Sequence, residues 1–286
     1  MADIRPMNFG EILDGSLVIY RRHFGLFLRL AVIVLAVPVL LLVYFSARWL
    51  GSFLTQTPNM AALLFLVPVA IVYYLATLVL TAGTVRIISD SYLGRAPRLQ
   101  DALSLGLSKL WSLVVVGLGK GVIVFLILVG VGVVMGVLGV LAKGAGAAAV
   151  LLFLSAGVAG VWLVALVLCG YGVSTPVVVL EELGSAFDAF GRSWDLTRTF
   201  RLKVLGLGVV AFLLFNALPS WVLQALSAVA RLALPPVSIA LAALATIVPV
   251  LLTPAVAAVI TLMYYDLRVR REAFDLQVLS RQLGII

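Results

Sequence analysis

One cysteine, Cys169, and one histidine, His23, stand among 286 residues. A lone thiol excludes an internal disulfide framework. A lone imidazole excludes a multi-histidine metal site, and it has no visible carboxylate and serine partners for a catalytic set. Charge is also scarce. Asp, Glu, Lys and Arg make up 11% of the chain and apolar residues 64%, whereas soluble domains are about a quarter charged and about half apolar. Such an apolar chain cannot cover its own core in water, and disorder needs the opposite balance. Acidic residues are missing from every long apolar run. Proton- and sodium-coupled carriers place carboxylates there, which argues against a driven antiporter. No nucleotide-binding motif is present for primary transport. What remains is a polytopic membrane protein, consistent with a mean hydropathy of +1.23.

A helix crossing the hydrocarbon layer needs about 20 residues. The charge-poor runs predict six spans: Leu30 to Ala47, about Met60 to Val85, Trp111 to Leu141, Gly144 to about Pro176, Val204 to Ala230 and Leu232 to Tyr265. The turn-like Thr55-Gln56-Thr57-Pro58-Asn59 separates the first two, and Pro235-Pro236 interrupts the entry to the sixth. The expectation is an all-α bundle forming a single integral membrane domain over 1–286.

The basic residues divide unequally between the two sides. Sixteen of the 20 lie with the amino terminus, in the 86–109 and 181–203 loops and in the tail to Arg281. Arg48, Lys143 and Arg231 lie opposite, and Lys120 is inside the third span. By the positive-inside rule both termini are cytoplasmic, as in a bacterial inner-membrane protein. All 12 acidic residues fall on that side too. A cleaved leader is not expected, because the first apolar run follows a patterned polar segment of about 29 residues.

Three segments share a layout. Phe9 to Asp14 leads through Arg21 and Arg22 into span one, Leu99 to Leu103 through Lys109 into span three, and Phe187 to Phe190 through Arg198, Arg201 and Lys203 into span five. Each unit exits on an acidic residue: Asp90, Glu181 or Asp266. Two crossings per unit preserve orientation, so repeats over 8–95, 97–183 and 185–275 would be parallel and threefold. Asn8 with Glu11, and Ser185 with Asp188, fit helix N-caps, and Pro97 fits a first turn. Phe9, Ile12, Leu13, Leu17 and Tyr20 form a helical stripe, as do Leu99, Ala102, Leu103, Leu107 and Leu110. These three amphipathic helices either lie among the headgroups or pack on the cytosolic ends of the bundle.

Gly117-Leu118-Gly119-Lys120-Gly121 resembles a phosphate loop only superficially. Val114 stands where the first glycine belongs, and Gly121 replaces the Ser or Thr. Lys120 reads instead as a lysine snorkelling to the cytosolic interface. Gly117 with Gly121, and Gly132 with Gly136, are spaced for close helix packing. Pro38, Pro68, Pro176, Pro219, Pro249 and Pro254 punctuate the spans, and the Pro249–Pro254 pair could open a broken-helix site. Asn216 and Gln224 are expected to bond neighbouring helices, Cys169 to fill a core position, and His23 to sit at headgroup level.

Three stretches carry a family resemblance. They are Arg5-Pro6-Met7-Asn8-Phe9-Gly10-Glu11-Ile12-Leu13-Asp14-Gly15 with Tyr20-Arg21-Arg22-His23-Phe24; Leu180-Glu181-Glu182-Leu183-Gly184 with Ala189-Phe190-Gly191-Arg192-Ser193-Trp194-Asp195-Leu196-Thr197; and Tyr264-Tyr265-Asp266-Leu267-Arg268-Val269-Arg270-Arg271-Glu272-Ala273-Phe274-Asp275-Leu276. Together they resemble the bacterial membrane domain of glycerophosphoryl diester phosphodiesterase and its stand-alone relatives. Ala273 departs from the pattern, where glycine is expected. The resemblance implies a membrane domain that some relatives fuse to a cytosolic phosphodiesterase. That enzyme's two-histidine chemistry cannot come from His23 alone, so its activity is not carried over. Glu11, Asp14, Glu181, Arg192, Ser193, Tyr265, Asp266, Arg268, Arg270 and Glu272 are structural positions, expected to form cytosolic ion pairs that hold the repeats together.

The resulting expectation is a non-enzymatic scaffold or accessory subunit with no catalytic residue, metal or cofactor, and no nucleic acid partner. It would engage anionic lipid through Arg21, Arg22, Arg95, Arg98, Lys109, Lys120, Arg198, Arg201 and Lys203, and either a protein partner or further copies of itself. The alternatives are a passive lipid scramblase or small-molecule transporter and, with less support, an intramembrane lipid enzyme. The charge asymmetry is directly testable. In a Cys169→Ser background, Arg95→Cys and Arg198→Cys should react with an impermeant maleimide only from the cytosolic side, and Arg48→Cys and Arg231→Cys only from the opposite side. The inverted pattern would refute the orientation.

Overall fold

The computed structural model describes residues 5–54, 60–141, 146–231 and 234–273. The Thr55–Asn59 turn, Lys143, the start of the sixth span at Leu232, Arg281, and the stretch from Phe274 through the predicted repeat end at Asp275 to Leu276 lie outside the described residues. The chain is all-α among the described residues. It runs α1 (Phe9–Arg22), α2 (Phe24–Leu54), α3 (Met60–Tyr92), α4 (Leu99–Ser108), α5 (Leu110–Leu141), α6 (Gly146–Gly170), α7 (Ser174–Leu180), α8 (Asp188–Thr197), α9 (Arg201–Phe212), a π-helical segment (Leu213–Ala217), α10 (Leu218–Ala230) and α11 (Pro235–Glu272). Six stretches are long and apolar enough to cross a membrane: Phe24–Ser46, Leu64–Tyr92, Leu110–Val140, Val150–Leu180, Arg201–Ala230 and Ala240–Glu272. This is a multi-pass membrane bundle.

The long helices pair as hairpins, α2 with α3, α5 with α6, and α10 with α11. Segments α3, α7 and α11 also meet one another, and the buried core gathers on them. Ala82, Val85, Ile87 and Ile88 come from α3, Val177 to Val179 from α7, and Ala255 to Leu267 from α11. Beyond this core, α5 and α6 carry exposed Val, Leu and Phe side chains along most of their length, as expected of surfaces solvated by acyl chains.

Each short helix docks on a long one, so the packing alternative for the amphipathic elements describes their contacts. Helices α1 and α4 run antiparallel to their hosts. Met7 meets Asp266, Gly15 meets Leu262, and the Tyr20 hydroxyl donates to the Leu251 carbonyl, laying α1 along α11. On α3, Gly83 lies against Ala102 and Val79 against Gly106 of α4. Ser193 and Thr197 of α8 both donate to the Gly170 carbonyl at the end of α6.

Several expectations need correction. The buried row of α4 is Ala102 and Gly106, while Leu107 is exposed, because a Cβ at Gly106 would sit 2.9 Å from the Val79 carbonyl. Close backbone approach, more than side-chain size, selects that face. Helix α4 starts at Leu99, so Pro97 precedes the cap, and α8 starts at Asp188 rather than just after Ser185. The Asp188 carboxylate nevertheless accepts the Ser185 N–H at 2.8 Å. Helix α11 continues through Pro249 and Pro254. The Leu251 carbonyl, within the turn before Pro254, accepts the Tyr20 hydroxyl at 3.1 Å. In the fifth span, Pro219 lacks an N–H, and the chain inserts a π turn just before it, with Leu218 N–H reaching the Leu213 carbonyl. Asn216 lies in that turn and Gln224 is exposed, and neither side chain bonds another helix among the described residues. Gly117 packs on Tyr74 and Gly119 on Phe190, but Gly121, Gly132, Gly136 and Gly139 meet nothing among the described residues.

Helix α11 ends at Ala273 in the left-handed region, φ 50°. An L-residue there costs about 1–2 kcal/mol, and this is the position where the family pattern led us to expect glycine. Ala273→Gly should raise the unfolding free energy in detergent by about 1 kcal/mol. Gly106→Leu should lower it by about 1–3 kcal/mol through overpacking. The reverse order in a denaturant titration would refute both assignments.

Candidate functional site

The polar side chains converge where the core helices end. Asp266 sits on the inward face of α11 with its side chain fully buried. Its carboxylate accepts the Met7 N–H at 2.7 Å, the Lys203 ammonium at 2.6 Å, and Arg270 Nε at 3.0 and 3.1 Å. The same two cations donate to the Met7 carbonyl, at 2.7 Å from Lys203 and 3.0 Å from Arg270. The Met7 backbone is thereby held at both its N–H and its carbonyl, and a carboxylate that would be costly to bury alone is matched by three donors. Upstream, Glu11 accepts the Asn8 N–H at 2.6 Å and Arg5 at 2.7 Å. These two bonds hold the Glu11 carboxyl below its ordinary pKa, the backbone bond most strongly.

A second cluster surrounds Glu181, just past α7. Arg192 of α8 binds it through two nitrogens, at 2.8 and 3.3 Å, and the Tyr264 hydroxyl donates at 2.8 Å. Arg192 also pairs with Glu272 of α11. Arg268 contacts Glu272 at 3.0 Å and Tyr264 at 3.2 Å. Charges alternate around the ring Glu181, Arg192, Glu272 and Arg268. Hydrogen bonds to Glu272 and Glu181 raise the pKa of the Arg192 guanidinium despite its partial burial.

A third acidic residue, Asp90, lies in the last turn of α3. Arg86 Nε approaches Asp90 Oδ2 at 2.9 Å without hydrogen-bond alignment, and Asp90 Oδ1 is buried with no donor. Next to it the Ser89 and Tyr265 hydroxyls meet at 2.7 Å, tying α3 to α11. Asp90 and Asp266 therefore lie inside helices, because α3 and α11 run one to two turns past the span ends expected from hydropathy. The expectation that acidic residues are missing from all six spans is corrected accordingly, since Asp90, Asp266 and Glu272 fall within the stretches able to cross a membrane.

Ser193 is buried and bonds the Gly170 carbonyl at 2.8 Å, while Asp14 is exposed. Of the nine cations assigned to headgroups, three are engaged within the chain. Lys203 is held by Asp266, Lys109 reaches the Glu181 carbonyl at 3.4 Å, and Arg201 stacks 4.3 Å above the Trp194 ring. Lys120 is half-buried within α5 and makes no ion pair among the described residues. Arg21, Arg22, Arg95, Arg98 and Arg198 are exposed. His23 accepts or donates a 3.0 Å hydrogen bond with Ser91 at the α1–α2 bend. Its pKa is lowered by burial and by Arg22. The pair has no carboxylate on the second ring nitrogen among the described residues, so it lacks the orienting third group of a triad.

Pattern reading missed the Met7 backbone and Tyr264 as parts of these clusters. A backbone atom leaves no composition signal, and Tyr264 is indistinguishable from an interface aromatic. No family model, curated protein or solved structure matches this chain.

Removing the central carboxylate leaves Lys203 and Arg270 facing each other half-buried. Asp266→Asn should therefore destabilise the protein by about 3–5 kcal/mol. Glu182→Gln, at an exposed position, should change stability by less than about 0.5 kcal/mol. Equal midpoints for these two variants in denaturant titrations would show that the Asp266 cluster is not structural.

Proposed function

We propose that this is a non-enzymatic bacterial inner-membrane protein, with both termini in the cytosol, that serves as a scaffold or accessory subunit at the cytosolic membrane face. The observation that carries this reading is the division of labour among the basic residues. Lys203 and Arg270 neutralise the buried Asp266, and Arg192 and Arg268 the half-buried Glu181 and Glu272. Arg21, Arg22, Arg95, Arg98 and Arg198 remain exposed at the same end, without an ion pair among the described residues. Cations left over at the end of a membrane bundle suit anionic headgroups or an acidic partner, each worth about 1 kcal/mol near an anionic surface.

We also propose that the chain is a threefold parallel repeat of one short helix and one hairpin. With α6 and α7 counted as one crossing, and α9, the π segment and α10 as another, the order short helix, crossing, crossing recurs three times. Helix α4 docks on α3, α8 docks beside α7, and α1 docks on α11, so each short helix sits on the closing helix of the preceding unit, and the first unit closes on the last. The resemblance to the phosphodiesterase membrane domain agrees with this arrangement, since the residues that carry it cluster around Asp266 and Glu181. The passive-transport alternative has one observation in its favour, the π segment with half-buried Asn216. Against it, Thr253 spends its hydroxyl on the Pro249 carbonyl, and α11 is apolar and packed from Ala255 to Leu262 apart from Thr261, which bonds its own helix.

The test replaces exposed cations only. Arg21→Gln, Arg22→Gln and Arg198→Gln together should reduce capture of phosphatidylglycerol from mixed nanodiscs by about tenfold at low salt, with little change in stability. Undiminished capture would remove the lipid half of the proposal, leaving a protein partner to be sought by extraction in native lipid and mass spectrometry.

A further inference from the structure

One cation stands well inside a membrane-crossing stretch without a partner. Helix α5 carries Lys120 within the stretch Leu110–Val140, which is 31 residues long. From Lys120 to Val140 the helix rises about 30 Å, the thickness of the hydrocarbon layer. With Val140 at one boundary of that layer, Lys120 lies at the other, where lipid phosphates are found. Its side chain makes no ion pair or hydrogen bond among the described residues. The residue is half-buried, and its ammonium is not enclosed. An ionisable side chain at such a place, with no partner in its own chain, marks a binding site.

The face that carries Lys120 is the one turned to α6. Lys120, Val124, Ile127, Val131 and Met135 follow at helical spacing and are all half-buried, while Val122, Phe125, Leu126 and Val134 are exposed. A Cβ at Gly160 would meet Val131 at 2.7 Å, and one at Gly157 would meet the Met135 methyl at 3.7 Å, which sets the antiparallel register of α5 and α6. Met135 also edges an open groove of about 470 Å³, lined on α6 by Phe153, Gly157, Val161, Trp162 and Ala165. In this register Ala165, at the end nearer Lys120, lies about 9 Å below it along the helix axis. One turn before Lys120, the Tyr74 hydroxyl of α3 lies against Gly117, in the place a Cβ would take. That hydroxyl makes no hydrogen bond among the described residues.

We propose that the α5–α6 hairpin binds one anionic glycerophospholipid, its phosphate accepting from the Lys120 ammonium and the Tyr74 hydroxyl and one acyl chain lying in the groove beside Val161 and Gly157. The interval between Lys120 and the groove suits the glycerol and ester groups that separate a phosphate from its chains. A headgroup of net negative charge, such as phosphatidylglycerol, neutralises Lys120. No carboxylate pairs with Lys120 among the described residues, so the ammonium of a zwitterionic headgroup has no acceptor there. This inference rests on the anionic-lipid reading of the protein for the class of lipid, but its residues are separate from Arg21, Arg22 and Arg198.

The full-length protein is reconstituted in nanodiscs of phosphatidylethanolamine and phosphatidylglycerol, extracted in mild detergent, washed at low or high salt, and its retained lipid quantified by mass spectrometry. Salt screens contacts on exposed arginines, but screens a phosphate on a half-buried ammonium much less. After the high-salt wash, wild type should retain phosphatidylglycerol over phosphatidylethanolamine by about tenfold, the scale of one charge-assisted hydrogen bond. Lys120→Gln should lower that retention by about tenfold. Val161→Trp, at an exposed position that would fill the groove, should lower it as well. The combined Arg21→Gln, Arg22→Gln and Arg198→Gln variant should leave it unchanged. Loss of the preference from wild type at high salt would overturn the proposal, and that comparison needs no variant to fold. Salt-resistant retention that survives Lys120→Gln, or that disappears in the triple arginine variant, would also overturn it. Release of the lipid by free glycerophosphoglycerol, the headgroup without chains, would overturn the part assigned to the groove. Low-salt capture by the triple variant reports separately on the exposed arginines.

Discussion

The buried carboxylate of Asp266 is the constraint on which the rest of the charged end depends. It sits where α11 would otherwise bring an uncompensated charge into an apolar core, and two of its three partners come from distant parts of the chain. Lys203 opens α9, Arg270 is one turn along α11, and Met7 is 259 residues away in sequence. In an environment without a hydrophobic drive between helices, association rests on close packing and on polar groups that must find each other. Asp266 uses that requirement to specify a single closure. The segment preceding α1 is held by its backbone, and α1 then has only one host along which its Ile12, Ser16 and Tyr20 face can lie.

This arrangement explains why the short helices look amphipathic without lying freely among lipids. Their buried faces are narrow and contain small residues, Ser16 in α1, Ala102 and Gly106 in α4, and Ala189 and Ser193 in α8. Narrow faces of small residues suit close approach to another helix, whereas a broad apolar face suits immersion in a bilayer. The hairpin α5–α6 follows the opposite logic. It has little buried surface beyond its own seam, and its length is solvated by acyl chains.

Six spans, their order and the three short helices were legible in the sequence because hydropathy and charge spacing report directly on burial in a bilayer. So were Asp90, Glu181 and Asp266, since an acid after a long apolar run stands out. What could not be read was which cation each acid meets. Lys203 has the same local setting as Arg198, a basic residue before a span, yet one is bonded to Asp266 and the other is exposed. The difference lies in helix rotation and in a contact across the whole chain, and neither leaves a periodic signal. The end of α3 was misplaced for a related reason. Hydropathy falls at Arg86, but the helix continues to Tyr92, where Ser89 bonds Tyr265 of α11 and Ser91 bonds His23.

The central claim is that the chain closes on itself by laying α1 antiparallel on α11. Gly15 and Leu262 face each other there, with a Cβ at position 15 placed 3.3 Å from the Leu262 side chain. The most direct measurement is oxidative cross-linking in native membranes of a Gly15→Cys/Leu262→Cys variant in a Cys169→Ser background. The account predicts rapid formation of a disulfide within one chain, which joins proteolytic fragments without raising the mass of the intact species. Failure to cross-link, or a bond formed only between chains, would contradict it.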